Sequence, residues 1–243
     1  MSRNLKAVLF DVDDTLFPSS EFAEMARHSA VRAMVDAGLE VEFDLAMEEL
    51  LDVVAEFTSN YGNHFDQLVV RLGDNLRDGV HRALVVAAGV RAYHDTKAEL
   101  RPFPDAVRCI AELRKTNLQR GILTNGLTIK QAEKLIRLDL QHAFSPGAIF
   151  ISEDLGVAKP HQRIFGIACK RLGREPHEVL YIGDNPVKDI DAAHEAGLVT
   201  VLRRGTGKHA QAVGAHAPDF EVSSLDEIRG ILEREFGVEF DEG

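Results

Sequence analysis

Short apolar runs alternating with helix-length amphipathic segments beyond residue 102 predict an α/β protein built on a doubly wound parallel sheet, Rossmann-like in architecture. Two further observations complete the reading. About 80 residues after Ser19 lack any good strand and carry apolar residues at helical spacing, which predicts an all-helical insert. Polar turn segments close the apolar runs, as expected where a parallel sheet presents its carboxyl edge to a ligand.

Ala7-Val8-Leu9-Phe10 ends in acids and reads as a central buried strand. Helices are expected over 20–37, 44–58, 64–72 and 76–98, punctuated by Gly38, Asn60-Tyr61-Gly62-Asn63 and Gly73. Arg101-Pro102-Phe103-Pro104-Asp105 ends the insert, because two prolines break a helix running into them. Thereafter a helix near 104–116 precedes the strand Gly121-Ile122-Leu123, and one near 128–139 precedes Ala148-Ile149-Phe150-Ile151. A helix near 161–173 precedes Val179-Leu180-Tyr181-Ile182, and one near 188–196 precedes Leu198-Val199-Thr200-Val201-Leu202. Right-handed crossovers then wind the sheet. The domain reading is a core of residues 1–18 and 102–243 with a helical unit at 19–101.

The chain has 243 residues, 45% hydrophobic and 28% charged, enough to build a core without staples. Cys109 and Cys169 lie among apolar neighbours, and two separated thiols read as buried and reduced in a cytoplasmic protein. The ten histidines show no zinc spacing. Met1 to Lys6 leads into an apolar run too short for a signal peptide, and no stretch approaches the roughly 18 apolar residues of a membrane span. A formal charge of −11 without a basic run argues against nucleic acid, while a small phosphorylated metabolite stays compatible.

Four segments carry the chemistry, each read as following a strand: Asp11-Val12-Asp13-Asp14-Thr15, Thr124-Asn125-Gly126, Lys159-Pro160, and Gly183-Asp184-Asn185-Pro186-Val187-Lys188-Asp189. Residues two apart in a strand-exit turn can face one opening. Asp11 is thus placed to attack phosphorus, and Asp13 to act as general acid and base. The same acids also read as turn or helix-cap residues. A threonine hydroxyl with turn N–H groups at 124–126 suits phosphoryl oxygens, though Asn-Gly is equally a common turn. Lys159 can neutralise the nucleophile and the phosphoryl charge, or be a loop lysine. Asp184 and Asp11 with waters suit octahedral Mg²⁺, and Asp189 can support them or simply cap a helix. Their joint occurrence in this order weighs against the structural readings.

With these segments assembled, the chain resembles the haloacid dehalogenase-like hydrolase superfamily, in the branch whose helical cap is inserted after the first motif. The resemblance is densest from Ile151 to Gly197, where Glu153-Asp154-Leu155-Gly156-Val157-Ala158-Lys159-Pro160 and Ile182-Gly183-Asp184 match that branch. It implies Asp11 as nucleophile, Asp13 as acid/base, and Lys159 as a catalytic bridge between nucleophile and phosphoryl group. Phosphate binding would fall to Thr124, Asn125, Gly126 and Lys159. Mg²⁺ would sit on the Asp11 and Asp184 carboxylates and the Asp13 backbone carbonyl, with Asp189 behind them. The insert would be a mobile cap.

The expected function is a Mg²⁺-dependent phosphatase of small phosphate monoesters acting through an aspartyl-phosphate. Sugar or triose phosphates, phosphoglycolate and nucleoside monophosphates are all open, as is the choice between monomer and homodimer. Substrate choice is expected near Phe17 to Phe22 and in the turn Asn60 to His64. Dehalogenases resemble the chain without its second aspartate, so Asp13 favours phosphoryl chemistry. A phosphomutase shares both aspartates and stays open, and a phosphoacceptor receiver module is a further alternative. Gly205-Thr206-Gly207-Lys208 fails the phosphate-loop pattern because glycine is missing at 202 and His209 replaces the hydroxyl. The tail from Glu233 to Gly243 reads as a solvated helix or frayed end.

Overall fold

The computed structural model describes residues 4–58 and 60–241; Met1 to Arg3 of the N-terminal run and Glu242 and Gly243 of the tail lie outside them. Two compact units form, one from residues up to Ser20 with Arg101 onward, the other from Glu21–Leu100.

The first unit is a six-stranded sheet in the order β3-β2-β1-β4-β5-β6, every pairing parallel. Its strands are β1 (Ala7–Phe10), β2 (Gln119–Thr124), β3 (Ile149–Ile151), β4 (Val179–Gly183), β5 (Val199–Arg203) and β6 (Phe220–Val222). All four residues of β1 are fully buried, as a central strand covered on both faces requires. The chain winds outward from β1 through β2 to β3, then returns to β1's other side for β4, β5 and β6. The winding reverses at β1, so the carboxyl ends of β1, β2 and β4 border the crevice where doubly wound sheets hold ligands. Asp11 continues the register beyond β1, its N–H donating to the Ile182 carbonyl at 2.9 Å. One face of the sheet packs Leu9, Phe150 and Tyr181 against Ile164, Phe165 and Ala168 of the helix Arg163–Leu172.

The second unit contains most of α1 (Ser19–Asp36), with α2 (Phe43–Phe57), α3 (His64–Arg71) and α4 (Arg82–Asp95). It has its own core of Val31, Met34, Leu39, Ala46, Leu50, Leu68, Val69 and Val85. Helix α4 starts six residues later than the periodicity predicts. Residues 76–81 form a loop in which Leu76 bridges Leu39 and the Arg77 N–H donates to the Gly38 carbonyl at 2.9 Å. Gly79, at φ 77°, breaks the helical run, and the His81 ring caps α4 by accepting from the Ala83 N–H.

Three further differences lie in the sheet unit. The helix expected at 188–196 begins earlier, as a π-helical turn over Pro186–Asp191 followed by one α-turn, Ala192–Glu195. Asn185 initiates it, its side chain accepting from the Val187 and Lys188 N–H groups. The tail is helical as far as Phe236, and that helix is packed rather than solvated on all sides. Glu227–Phe236 forms a helix burying Ile228, Ile231, Leu232 and Phe236, and the Asp241 N–H then donates to the Lys115 carbonyl at 2.9 Å. Its charged residues obscure an i, i+3, i+4 apolar stripe that is present in the sequence. Finally, Lys159 does not close a strand; it follows β3 through a one-turn helix, Ser152–Leu155, and a loop.

A buried ion pair ties the sheet to its flanking elements. The Arg203 guanidinium at the end of β5 donates to both Asp105 oxygens, at 3.1 and 2.9 Å, and to the Thr15 carbonyl at 2.7 Å. Asp105 also accepts from the Leu225 N–H and the Ser224 hydroxyl ahead of the C-terminal helix. Replacing Asp105 with alanine strands a guanidinium that is 4% exposed. Asp105→Ala is therefore expected to lower unfolding free energy by roughly 3–5 kcal/mol, read from denaturant midpoints. A loss no larger than that of a surface substitution would show that the pair does not hold these elements together.

Candidate active site

The residues nearest the strand reversal come from four segments at the carboxyl edge of the sheet. Asp11 extends β1, Thr124 ends β2, Asp184 follows β4, and Lys159 arrives from the loop beyond β3. Lys159 is 5% exposed, and its Nζ contacts Asp11 Oδ1 at 2.8 Å, Asp189 Oδ1 at 2.6 Å and the Tyr181 hydroxyl at 2.8 Å. An ammonium has three N–H donors, and these three acceptors match them.

The backbone of Lys159 is held as closely as its head. The Asn125 side-chain amide donates to the Lys159 carbonyl and accepts from the Lys159 N–H, both at 2.8 Å. The Gly126 N–H donates to Ser152 Oγ at 3.0 Å, and the Thr128 N–H donates to Glu153 Oε2 at 2.7 Å. Of the segment expected to bind phosphate, the Asn125 side chain and the Gly126 N–H thus join two loops. The Thr124 hydroxyl differs. It is buried and has no hydrogen-bond partner.

Asp13 projects from the same turn as Asp11 toward the helix Thr128–Arg137. Its Oδ1 lies 2.6 Å from Lys134 Nζ, and its Oδ2 accepts from Gln131 Nε2 at 3.2 Å. Asp14, at φ 56°, turns away and accepts from the Ser20 N–H and hydroxyl. Phe17, expected near the substrate, is buried with Lys134 Nζ 5.1 Å above its ring. In the helical unit, the turn at 60–64 forms a ring cluster, Tyr61 stacking on Phe57 and meeting His64 edge-on.

Asp11, Asp184 and Asp189 each place a carboxylate oxygen within 4.8 Å of the others. Both Asp189 oxygens are engaged, Oδ1 with Lys159 and Oδ2 with the Asn185 N–H at 3.0 Å. The approach is close enough that a side chain at Gly183 would meet the Asp189 carboxyl at 2.5 Å, so glycine is required there. Asp184 Oδ2 is buried without a partner. Burial, followed by the charges of Asp189, Asp11 and Asp14, pushes the Asp184 carboxyl up to about 8. Burial also raises Asp11, to about 6, against the lowering effect of Lys159. Burial alone would depress Lys159, but Asp11 and Asp189 outweigh it and hold the ammonium charged. Three clustered carboxylates against one ammonium leave excess negative charge and an orphan oxygen. That donor set fits a hard divalent cation on Asp11 and Asp184, with Asp189 orienting Lys159.

Sequence reasoning missed Gln131, Lys134 and Tyr181, and gave Asn185 no role of its own. Gln131 and Lys134 are three apart on the helix that starts just after Thr124-Asn125-Gly126, so helical spacing puts both on one face. Tyr181 read as an ordinary strand residue, yet its hydroxyl accepts from Lys159 and donates to the Leu123 carbonyl at 2.9 Å. Both cysteines are free and buried, and burial raises their thiols to about 12 and about 11. Among the described residues, no helix is long and apolar enough to cross a membrane.

Residues 5–197 match the model of the family described as haloacid dehalogenase-like hydrolase. The chain is 46% identical over 235 residues to a glyceraldehyde 3-phosphate phosphatase of Methanopyrus kandleri, covering 94% of this chain and 97% of that protein. A protein of the same name from Methanocaldococcus jannaschii is 41% identical over 229 residues, again covering 94% and 97%. Among solved structures, a HAD phosphatase from Thermococcus onnurineus aligns with a TM-score of 0.68 at 25% identity, over 95% of this chain and 99% of that one.

The raised carboxyl of Asp184 carries a sign that can be tested without substrate. Between its ordinary value of 3.8 and about 8, the folded chain holds a proton that the unfolded chain releases. Stability in EDTA is therefore expected to fall as pH rises through that window. Added Mg²⁺ should restore it increasingly toward high pH, since the ionised carboxylates are the ligands. Melting temperatures of wild type and Asp184→Asn at several pH values check this. A slope that persists unchanged in Asp184→Asn would assign the titration to other groups.

Proposed function

The chain belongs to the haloacid dehalogenase-like hydrolase family, and we propose that within it the protein is a Mg²⁺-dependent phosphatase of small phosphate monoesters, working through an aspartyl-phosphate. The observation that carries this reading is the Lys159 ammonium bonded to Asp11 beside two buried, unpartnered oxygens, Thr124 Oγ1 and Asp184 Oδ2. One suits a phosphoryl oxygen and the other a cation. The names of the relatives at 46% and 41% identity favour a triose phosphate, glyceraldehyde 3-phosphate, over phosphoglycolate and nucleoside monophosphates. They also favour release of phosphate to water over transfer within a substrate, as a mutase would perform.

In this reading an Asp11 oxygen attacks phosphorus and the bond from phosphorus to the leaving oxygen breaks. Asp13 gives its proton to that oxygen. A water then loses a proton to Asp13 and attacks phosphorus, freeing inorganic phosphate and restoring the Asp11 carboxylate. Thr124 Oγ donates to a phosphoryl oxygen. Lys159, whose three donors already have protein acceptors, acts on the phosphoryl group chiefly as a fixed charge. Asp11, Asp184 and the Asp13 carbonyl would hold Mg²⁺, with Asp189 supporting. When bound, the ion supplies positive charge against the phosphoryl oxygens. The helical unit 19–101 would be the cap that excludes water. The buried, free Cys109 and Cys169 of the sheet unit suit a cytoplasmic setting.

Phosphate release from glyceraldehyde 3-phosphate, glycerol phosphates, phosphoglycolate and nucleoside monophosphates, in Mg²⁺ and in EDTA, tests the assignment. Mg²⁺-dependent release led by the triose phosphate is expected, and release from none of them would reject it. Asp11→Asn should abolish turnover while the protein stays folded. Thr124→Ala should slow turnover by about 10²–10³-fold, as for loss of one transition-state donor. An unchanged rate would leave Thr124 without a part in the chemistry.

A further inference from the structure

We propose that Lys134, together with Gln131, is a positioning residue for the acid/base carboxylate of Asp13, an inference that rests on the phosphatase reading above. Three contacts converge on this carboxylate or on the amide that orients it. Lys134 Nζ takes Asp13 Oδ1 at 2.6 Å, Gln131 Nε2 takes Oδ2 at 3.2 Å, and the same Nε2 donates to the Asn125 carbonyl at 2.9 Å. One donor on each oxygen fixes both the rotation and the tilt of the carboxylate. Lys134 Nζ is itself set over the Phe17 ring.

The cost of this arrangement argues for function. Gln131 is 5% exposed, and its Oε1 is buried without a partner. Turning the amide over would give it no better fit, because Oε1 would then face two acceptors, Asp13 Oδ2 and the Asn125 carbonyl. Gly126 leaves the space, since a Cβ there would meet Gln131 Nε2 at 2.6 Å. The ion pair adds little stability in return, because its side chains are 21% and 36% exposed. What it does supply is a fixed position for a carboxylate that must meet the leaving oxygen and then a water.

Asp13 matters most where the leaving alcohol needs a proton, so a positioning residue should inherit that dependence. In single turnover at saturating substrate, Lys134→Met should slow cleavage of an alkyl phosphate such as glycerol 3-phosphate by about 10–100-fold. Release of 4-nitrophenol from 4-nitrophenyl phosphate should change by no more than about 3-fold, since that leaving group needs no acid. In an Asp13→Ala background, Lys134→Met should add less than about 2-fold. Gln131→Met should show the same pattern more weakly, and melting temperatures will establish that each variant is folded. Equal losses on both esters, an undiminished loss in the Asp13→Ala background, or no loss on the alkyl ester would each overturn the proposal. If Asp13→Ala itself matches wild type on the alkyl ester, the acid/base assignment beneath the proposal has failed instead.

Discussion

A lysine ammonium buried to 5% exposure is tolerable only if its charge is met on the spot, and the sheet edge is arranged around meeting the charge of Lys159. Desolvating an ammonium costs several kcal/mol, so removing either carboxylate partner would leave an uncompensated charge in a region of low polarisability. Asp11, Asp189 and Tyr181 share the task, each from a different part of the sheet edge. The pairing also works in reverse. Without Lys159, Asp11 and Asp189 would face each other and Asp184 as like charges within a few ångströms. The site is therefore a mutually dependent set, and its remaining excess of negative charge is the feature that invites a divalent cation.

Holding that set in register requires the loops to be rigid. The Asn125 amide clasps the Lys159 peptide from both sides, as one strand clasps another, although neither residue lies in a strand. Ser152, Glu153 and Asp154 then bond Gly126 and Thr128 at the start of the helix Thr128–Arg137, so the loops after β2 and β3 are joined to each other. On the other side, Asn185 and Asp189 close the π-helical turn after β4. A second buried pair, Arg203 with Asp105, reaches the Thr15 carbonyl just past the first aspartates. Few of these contacts touch Asp11 itself, yet together they fix the loops that carry Asp11, Lys159, Asp184 and Asp189.

A net charge of −11 and an anionic substrate look contradictory until the charges are placed. Overall charge governs long-range encounter, whereas affinity at the site depends on the one or two charges nearest the ligand. Here Lys159 and Lys134 stand within bonding distance of the Asp11 and Asp13 carboxylates, and a cation on Asp11 and Asp184 would add to them.

The sequence by itself determined the parallel α/β sheet and the helical character of the segment after the first strand, and it picked out Asp11, Asp13, Thr124, Lys159, Asp184 and Asp189 as candidates. It could do so because apolar runs and turn residues are local signals, set by the period of the backbone and by backbone sterics. Tertiary structure decided what each of those residues touches. That Lys159 arrives from a loop rather than a strand end, that Asn125 serves the lysine backbone, and that Asp13 is held by Gln131 and Lys134 depend on contacts between residues 34, 118 and 121 positions apart. The same holds for the edge strand Phe220–Val222, three residues whose strand state comes from pairing with β5 rather than from any pattern of their own. Partners so distant in the chain leave no periodicity in it, because their proximity is created only when the sheet closes and the loops meet at its edge.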